Sequence, residues 1–118
     1  MSQEPALEFV ERALSLFIPT IVYGELYYGF RHGKRFENNL RRLDEFIETF
    51  DVQIIPVDID VGQKFGDIFT SLRKKGTPIP TNDIWIAACC MSVGGTLLTS
   101  DRYFNIVEQI QTEFLVSV

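Results

Sequence analysis

Apolar residues recur every three or four positions in two stretches of the chain. The first stretch runs from Lys34 to Phe50 and carries charged residues on its opposite side. Its apolar stripe consists of Phe36, Leu40, Leu43, Ile47 and Phe50. The second stretch follows Asp58, and its stripe consists of Val61, Phe65, Ile68, Phe69 and Leu72. Because this spacing matches the period of an α-helix, it predicts two amphipathic helices. Lys74, Lys75 and Gly76 predict the end of the second, since cations and a left-handed glycine suit a helix carboxyl end.

Four other segments are predicted to be helical. Glu4 to Leu14 and Tyr23 to Phe30 have helical spacing, and Asp101 to Gln111 is predicted to form a late helix. From Asn82 to Val93 the residues are apolar on nearly every face, and Gly94 follows that segment closely. This pattern predicts a helix at the centre of the fold.

Short apolar runs separate these helices and are predicted to be strands. They are Leu16 to Val22, Val52 to Val57, Thr96 to Ser100 and Phe114 to Val118. Helices that alternate with such runs predict a short parallel sheet covered on both faces, in the α/β class. The 118 residues, 46% of them hydrophobic, fit one compact domain over residues 1–118.

Charge and composition narrow the class of protein. The net charge of −5 disfavours a protein that holds nucleic acid by charge alone. It disfavours a nuclease less, because carboxylates that bind divalent cations present a positive centre to phosphate. The longest apolar stretch, Ile84 to Met91, is shorter than the ~20 residues that cross a bilayer, and Met1 to Pro5 is polar. Cys89 and Cys90 are adjacent, which is typical of reduced core thiols. We therefore expect a soluble cytoplasmic protein.

Three acids fall where parallel α/β proteins place their working groups, beyond the carboxyl ends of strands. Glu25 follows the first predicted strand, Asp83 opens the central helix, and Asp101 directly follows Thr96 to Ser100. Oxygen ligands of this kind suit Mg²⁺ or Mn²⁺. Each acid also has a purely structural interpretation, because Asp83 and Asp101 can satisfy helix amino ends and Glu25 can be an exposed helix residue. The apolar neighbours of Glu25 favour a functional role, since a buried charge needs a partner.

Several polar residues near these acids have two interpretations. Asn82 caps its helix or bonds near the site, and Thr99 is either a plain strand residue or orients a neighbouring ligand. The cations Arg31, Lys34 and Arg35 either contact phosphates or form an ordinary solvated surface that also includes His32. The sequence has no glycine-rich phosphate loop, no HExxH and no paired CxxC, which excludes kinase-like, zincin and zinc-ribbon sites.

Three strings of residues together resemble the PIN-domain toxins of the VapC type. They are Ile18 to Gly29, which contains Tyr-Gly-Glu-Leu-Tyr-Tyr-Gly, then Pro78 to Ala88, which contains Thr-Asn-Asp-Ile-Trp, and then Leu97 to Phe104, which begins Leu-Leu-Thr-Ser-Asp. Their order, with two amphipathic helices between the first and the second, covers the chain from about residue 16 to its end.

The resemblance implies a PIN-like three-layer α/β/α fold and a metal-dependent endoribonuclease, the toxin of a toxin–antitoxin pair. It assigns the acid positions to Glu25, Asp83 and Asp101 and the supporting positions to Asn82 and Thr99. These acids would hold Mg²⁺ or Mn²⁺, which activates water for cleavage of RNA. The implied partners are an RNA substrate and a cognate antitoxin protein, and Tyr27, Tyr28 and Phe30 suit a homodimer.

The chain departs from the family pattern at its amino end. The family begins with a central strand ending in Asp, and no apolar strand with a following acid precedes Glu25 here. A sheet without that strand leaves unpaired backbone groups. We therefore expect the flanking strands to close together or to accept an extended segment of another chain, and we expect weak metal binding. Tyr103 replaces a polar or acidic residue of many relatives, so the sequence does not support a fourth ligand there.

Two other functions remain open from the sequence. The first is a catalytically inactive PIN-fold fragment that acts as a protein-binding module. The second is a phospho-receiver domain, which the absence of its paired early acids and late lysine disfavours.

Overall fold

A computed structural model describes Glu8 and residues 10–114 of the chain. Among the described residues, the helices with complete bounds are α1 (Thr20–Arg31), α2 (Phe36–Thr49), α3 (Ile59–Lys75) and α4 (Thr81–Ser92). Four strands are β1 (Phe17–Pro19), β2 (Gln53–Ile55), β3 (Thr96–Thr99) and β4 (Gln111–Phe114). A 3₁₀-helix covers Arg102–Ile106. Residues 10–12 of the predicted first helix are helical, and residues 1–7 and 9 lie outside the described part.

The α/β class and the parallel strands predicted from the sequence are confirmed. The strands form two parallel pairs, with Ile18 opposite Ile54 in the first and Leu97 opposite Thr112 in the second. Two helices separate β1 from β2, and two more separate β2 from β3. The two amphipathic helices and the central helix are present, with ends within about two residues of the predicted positions.

The two strand pairs remain separate among the described residues. β1 pairs with β2, β3 pairs with β4, and no pairing joins β1 to β3. A cavity of about 560 Å³ lies between them, lined by residues of β1 and β3 and by Val52, Ile55 and Cys90. The expectation that the flanking strands close together was therefore wrong, whereas acceptance of a segment from another chain stays a prediction.

Three predicted elements differ from the structure. The strand predicted from Leu16 to Val22 ends at Pro19, and α1 begins at Thr20. The β-branched Ile21 and Val22 pack against the core from within a helix, so tertiary packing overrides their local preference for a strand. As a result Glu25 lies in the second turn of α1.

The helix predicted from Asp101 to Gln111 was wrong. The chain makes only a 3₁₀-helix, which buries Phe104 and Val107 at a spacing of three residues, and Gln111 already begins β4. The last strand was predicted from Phe114 to Val118. In the structure β4 already begins at Gln111, because Gln111 to Phe114 pair with β3. Residues 115–118 lie outside the described part.

The core lies mainly between α3 and α4. Ile68 of α3 and Ala87, Ala88 and Cys89 of α4 are fully buried. The rings of Phe65 and Trp85 stack with their centroids 3.9 Å apart, which ties the two helices together. Because α4 is enclosed in this way, its amino end and the acid at that end have a fixed position relative to β1 and β3.

The helix ends follow the expected chemistry. Asp58 caps α3, where its carboxylate accepts a hydrogen bond from the Val61 N–H at 3.0 Å. Gly76 ends α3 with φ of 68°, the left-handed conformation that glycine adopts without a steric penalty. In the part of the chain that the structure describes, no helix is both long enough and apolar enough to cross a bilayer.

Candidate active site

Glu25 lies on an exposed face of α1. Its carboxylate Oε2 accepts a hydrogen bond of 3.4 Å from the Asn82 side-chain amide of α4. The expectation that apolar neighbours bury this carboxylate was wrong, because Ile21 and Val22 turn toward the core and leave Glu25 on the outer side of the helix. Solvent therefore reaches Glu25, and the case for its function rests on its neighbours, not on burial.

Asp83 is half-buried in the first turn of α4. Its side chain does not cap the helix, since the residue before α4 is Pro80 and no side-chain cap bond forms there. Burial raises the pKa of Asp83, and the negative charges of Asp101 and then Glu25 raise it further. The fold thus brings Glu25 and Asp101 within electrostatic reach of Asp83.

Asp101 comes two residues after the end of β3 and caps the 3₁₀-helix that begins at Arg102. Its Oδ1 accepts a hydrogen bond from the Tyr103 N–H at 2.9 Å, so the capping interpretation is confirmed for this acid. Its own N–H donates to the Thr99 hydroxyl oxygen at 3.0 Å. Thr99 is therefore both a strand residue and a group that holds the backbone of Asp101 in place.

Asn82 hydrogen-bonds to Glu25 and does not cap its helix. It stands inside the first turn of α4, which begins at Thr81, and its side chain reaches across to α1. The capping interpretation of Asn82 was wrong. The amide links Glu25 of α1 to the helix that carries Asp83.

The oxygen chemistry of these residues fits a hard divalent cation. Asp60 and Glu108 are the carboxylates that pair with lysines in the described part of the chain, so Glu25, Asp83 and Asp101 form no ion pair there. The three acids do not form a preassembled metal site, since no group of three His, Cys, Asp or Glu residues among the described ones is close enough to hold a metal ion. The arrangement is a loose grouping of two carboxylates around Asp83.

The predicted basic residues lie at and beyond the carboxyl end of α1. Arg31 ends the helix and its guanidinium carbon lies 5.2 Å from the centre of the Phe36 ring. Lys34 and Arg35 are exposed between α1 and α2. His32 is exposed as expected, but its ring packs on Tyr28 with centroids 4.1 Å apart.

Two features near the site escaped the interpretation of the sequence. Thr20 begins α1, and its hydroxyl donates a 2.7 Å hydrogen bond to the Ile55 carbonyl, which fixes the start of this helix against β2. Tyr23, Gly24 and Tyr27 line a surface groove next to Glu25. The sequence signal for this groove was the spacing of its residues, because Tyr27 and Tyr28 come four residues after Tyr23 and Gly24 on one helix.

The fold and the acids define an α/β protein with a carboxylate site beyond the ends of parallel strands. The family model described as PIN domain matches residues 2–109. The chain belongs to the PIN-domain family, and its relatives there are of the VapC type.

Two named ribonucleases and one solved structure resemble the chain over most of its length. Ribonuclease VapC2 of Rickettsia felis is 31% identical over 99 residues, which are 80% of this chain and 69% of the relative. Ribonuclease VapC2 of Haemophilus influenzae is 31% identical over 106 residues, 89% of this chain and 79% of that one. A crystal structure of VapBC2 from Rickettsia felis, bound to a DNA fragment from its promoter, superposes with a TM-score of 0.82 at 29% identity over 96% of this chain and 84% of that one.

Proposed function

We propose that this chain is a metal-dependent endoribonuclease and the toxin of a toxin–antitoxin pair. Membership of the PIN-domain family and the names of the relatives, both of them ribonucleases, support the reaction type. The neighbouring VapBC structure supports an antitoxin partner. Mg²⁺ and Mn²⁺ are the cations that best suit the ligand chemistry.

The electrostatics of Asp83 carry the proposal. This acid stands half-buried beside two other carboxylates, and all three influences raise its pKa. Like charges in proximity are unfavourable for the fold by themselves, so their arrangement at one edge favours a site that binds positive charge. A purely structural role needs no such arrangement, because a single acid satisfies a helix amino end.

Each residue has a distinct task in this proposal. Glu25, Asp83 and Asp101 would hold the cation through their carboxylate oxygens. When bound, the cation supplies positive charge to the phosphate and makes water a better nucleophile near neutral pH. Thr99 fixes the backbone of Asp101, and Asn82 orients Glu25 through its 3.4 Å hydrogen bond. Arg31, Lys34 and Arg35 are proposed to contact phosphates away from the acids.

Cleavage of RNA by the purified chain tests the proposal. We expect cleavage in Mg²⁺ or Mn²⁺, its loss in EDTA, and its loss in Asp101→Asn, because this change removes a charge and little volume. Asp67→Asn, which alters an exposed carboxylate of α3, is the matched control and should cleave like the unmodified chain. Cleavage that persists in EDTA or in Asp101→Asn would refute the proposed mechanism.

One observation favours the second candidate, a catalytically inactive PIN-fold module that binds protein. The described acids do not approach closely enough to form a preassembled group of three ligands. That candidate predicts complex formation with the antitoxin together with no metal-dependent cleavage. The cleavage assay and a pull-down of the co-expressed antitoxin therefore distinguish the two. A homodimer through Tyr27, Tyr28 and Phe30 stays a prediction, which light scattering tests.

A further inference from the structure

A groove on the surface of α1 is lined by residues that flank Glu25 in the sequence. Its volume is about 560 Å³, within the range of ligand pockets of about 300–1,000 Å³. Its lining consists of Tyr23, Gly24, Tyr27, Tyr28, Arg31 and His32. Nothing in the proposed catalytic roles uses the four aromatic rings among these residues.

Two pairs of rings form the walls of the groove. Tyr23 and Tyr27 stack with centroids 6.5 Å apart, and Tyr27 also packs edge-on against Phe36 of α2 at 5.4 Å. On the other side Tyr28 packs on His32, whose Nδ1 lies 2.9 Å from the Tyr28 carbonyl oxygen. Both walls are therefore held in place, although Tyr28 keeps 66% of its surface exposed.

Gly24 makes the floor of the groove. Tyr27 and Tyr28 come three and four residues later, one helical turn on, so their side chains flank the direction in which a Gly24 side chain would point. A Cβ built on Gly24 meets nothing within 4 Å, so the space above it is open. The space between these walls is open because Gly24 carries no side chain.

Charge and position indicate what occupies the groove. Arg31 closes one end, and it has no carboxylate partner among the described residues, where Lys64 and Lys75 form the ion pairs. Glu25 is the neighbour of Gly24, and Tyr28 and His32 follow Glu25 by three and seven residues, on the same face of the helix. The wall formed by Tyr28 and His32 thus runs along the same face of α1 as Glu25.

We propose that this groove stacks a base of single-stranded RNA next to the phosphate at the acid cluster, with Arg31 on the neighbouring backbone phosphate. The proposal rests on the proposed ribonuclease function and names how its substrate is held. Aromatic rings stack on any base, and a guanidinium matches phosphate, so this combination suits unpaired RNA without fixing its sequence. A duplex is excluded, since its bases are stacked on one another.

Binding of a fluorescently labelled RNA decamer, measured by anisotropy in EDTA, tests the groove apart from cleavage. Gly24→Leu fills the floor, and we expect it to weaken binding at least tenfold without harm to the fold, because leucine suits a helix better than glycine. Gly66→Leu is the matched control on α3, where an added Cβ also meets nothing within 4 Å. Tyr28→Ala should weaken binding roughly fivefold to a hundredfold, whereas Tyr28→Phe, which keeps the ring, should bind like the unmodified chain.

Three outcomes would overturn the proposal. They are unchanged binding by Gly24→Leu, equal affinity for a decamer whose bases are removed, and loss of self-association in Gly24→Leu with RNA binding intact, which would make the groove a dimer contact. Failure of the ribonuclease function looks different: RNA binding that depends on Gly24 and Tyr28 but no cleavage with any divalent cation. Cleavage of RNA by Gly24→Leu with an unchanged KM would support the ribonuclease function and refute the proposed role of the groove.

Discussion

The replacement Asp83→Asn is expected to make the chain more stable and to remove its response to divalent cations. The folded-state pKa of Asp83 is raised, first by burial and then by Asp101 and Glu25. A raised pKa means that the folded chain holds the proton more tightly than the unfolded chain. The contribution of Asp83 to the stability of the fold is therefore most favourable below its unfolded-state pKa. It becomes unfavourable as the pH rises through its folded-state pKa.

The size of this penalty follows from the exposure of the group. Asp83 is half-buried and its like-charged neighbours are open to solvent in part, so screening limits the repulsion to about 0.2–1 kcal/mol. For a domain of this size, that is a rise in Tm on the order of 1–4 °C at pH 7 in EDTA. At about pH 3, below the ordinary aspartate pKa, the difference should vanish.

Thermal unfolding of both chains, with and without divalent cation, measures the effect. A cation that binds the folded chain at ten times its Kd raises the stability of the unmodified chain by about 1.4 kcal/mol, and Asp83→Asn should lose most of this gain. Asp67→Asn, an exposed change on α3, should behave like the unmodified chain within about 0.5 kcal/mol. If Asp83→Asn is less stable at pH 7 in EDTA, or responds to Mg²⁺ and Mn²⁺ as before, the electrostatic reasoning is wrong.

Three other predictions concern the fold. Gly76→Ala should lower the stability by about 1 kcal/mol, measured by urea unfolding, because φ at Gly76 is 68°; no loss would contradict the left-handed cap. Ile68→Ala, at a position with no exposed surface, should cost about 2–5 kcal/mol in the same assay, and a cost under 1 kcal/mol would show that the contact between α3 and α4 is not the core. Burial and then the neighbouring Cys89 thiol raise the pKa of Cys90 from 9.0 to about 11, so alkylation by iodoacetamide at pH 8.5 should be roughly a hundredfold slower than in urea; equal rates would contradict its burial.

The acid positions were predictable from the sequence because they depend on local order along the chain. Asp101 comes two residues after an apolar strand and Asp83 lies in the first turn of an apolar helix, and the ends of such elements meet at one edge of a parallel sheet. The amphipathic helices were predictable for the same reason, since the 3.6-residue period is written into the chain.

The surroundings of the acids were decided by tertiary packing. Apolar neighbours in sequence predicted a buried Glu25, but the start of α1 at Thr20 turns Ile21 and Val22 inward and leaves Glu25 exposed. In the same way the bond from Asn82 to Glu25 joins residues that are far apart along the chain. The direction of a side chain depends on which face of an element packs, and local sequence does not specify that face.

The end of the chain shows the same limit. Helical spacing after Asp101 predicted a helix, yet pairing with β3 draws Gln111–Phe114 into a strand and leaves only a 3₁₀-helix before it. The sequence by itself determined the α/β class, the amphipathic helices and the candidate acids, because these follow from composition and period. Only the tertiary structure decided the separation of β1 from β3 and the groove on α1, because both depend on which distant segments meet.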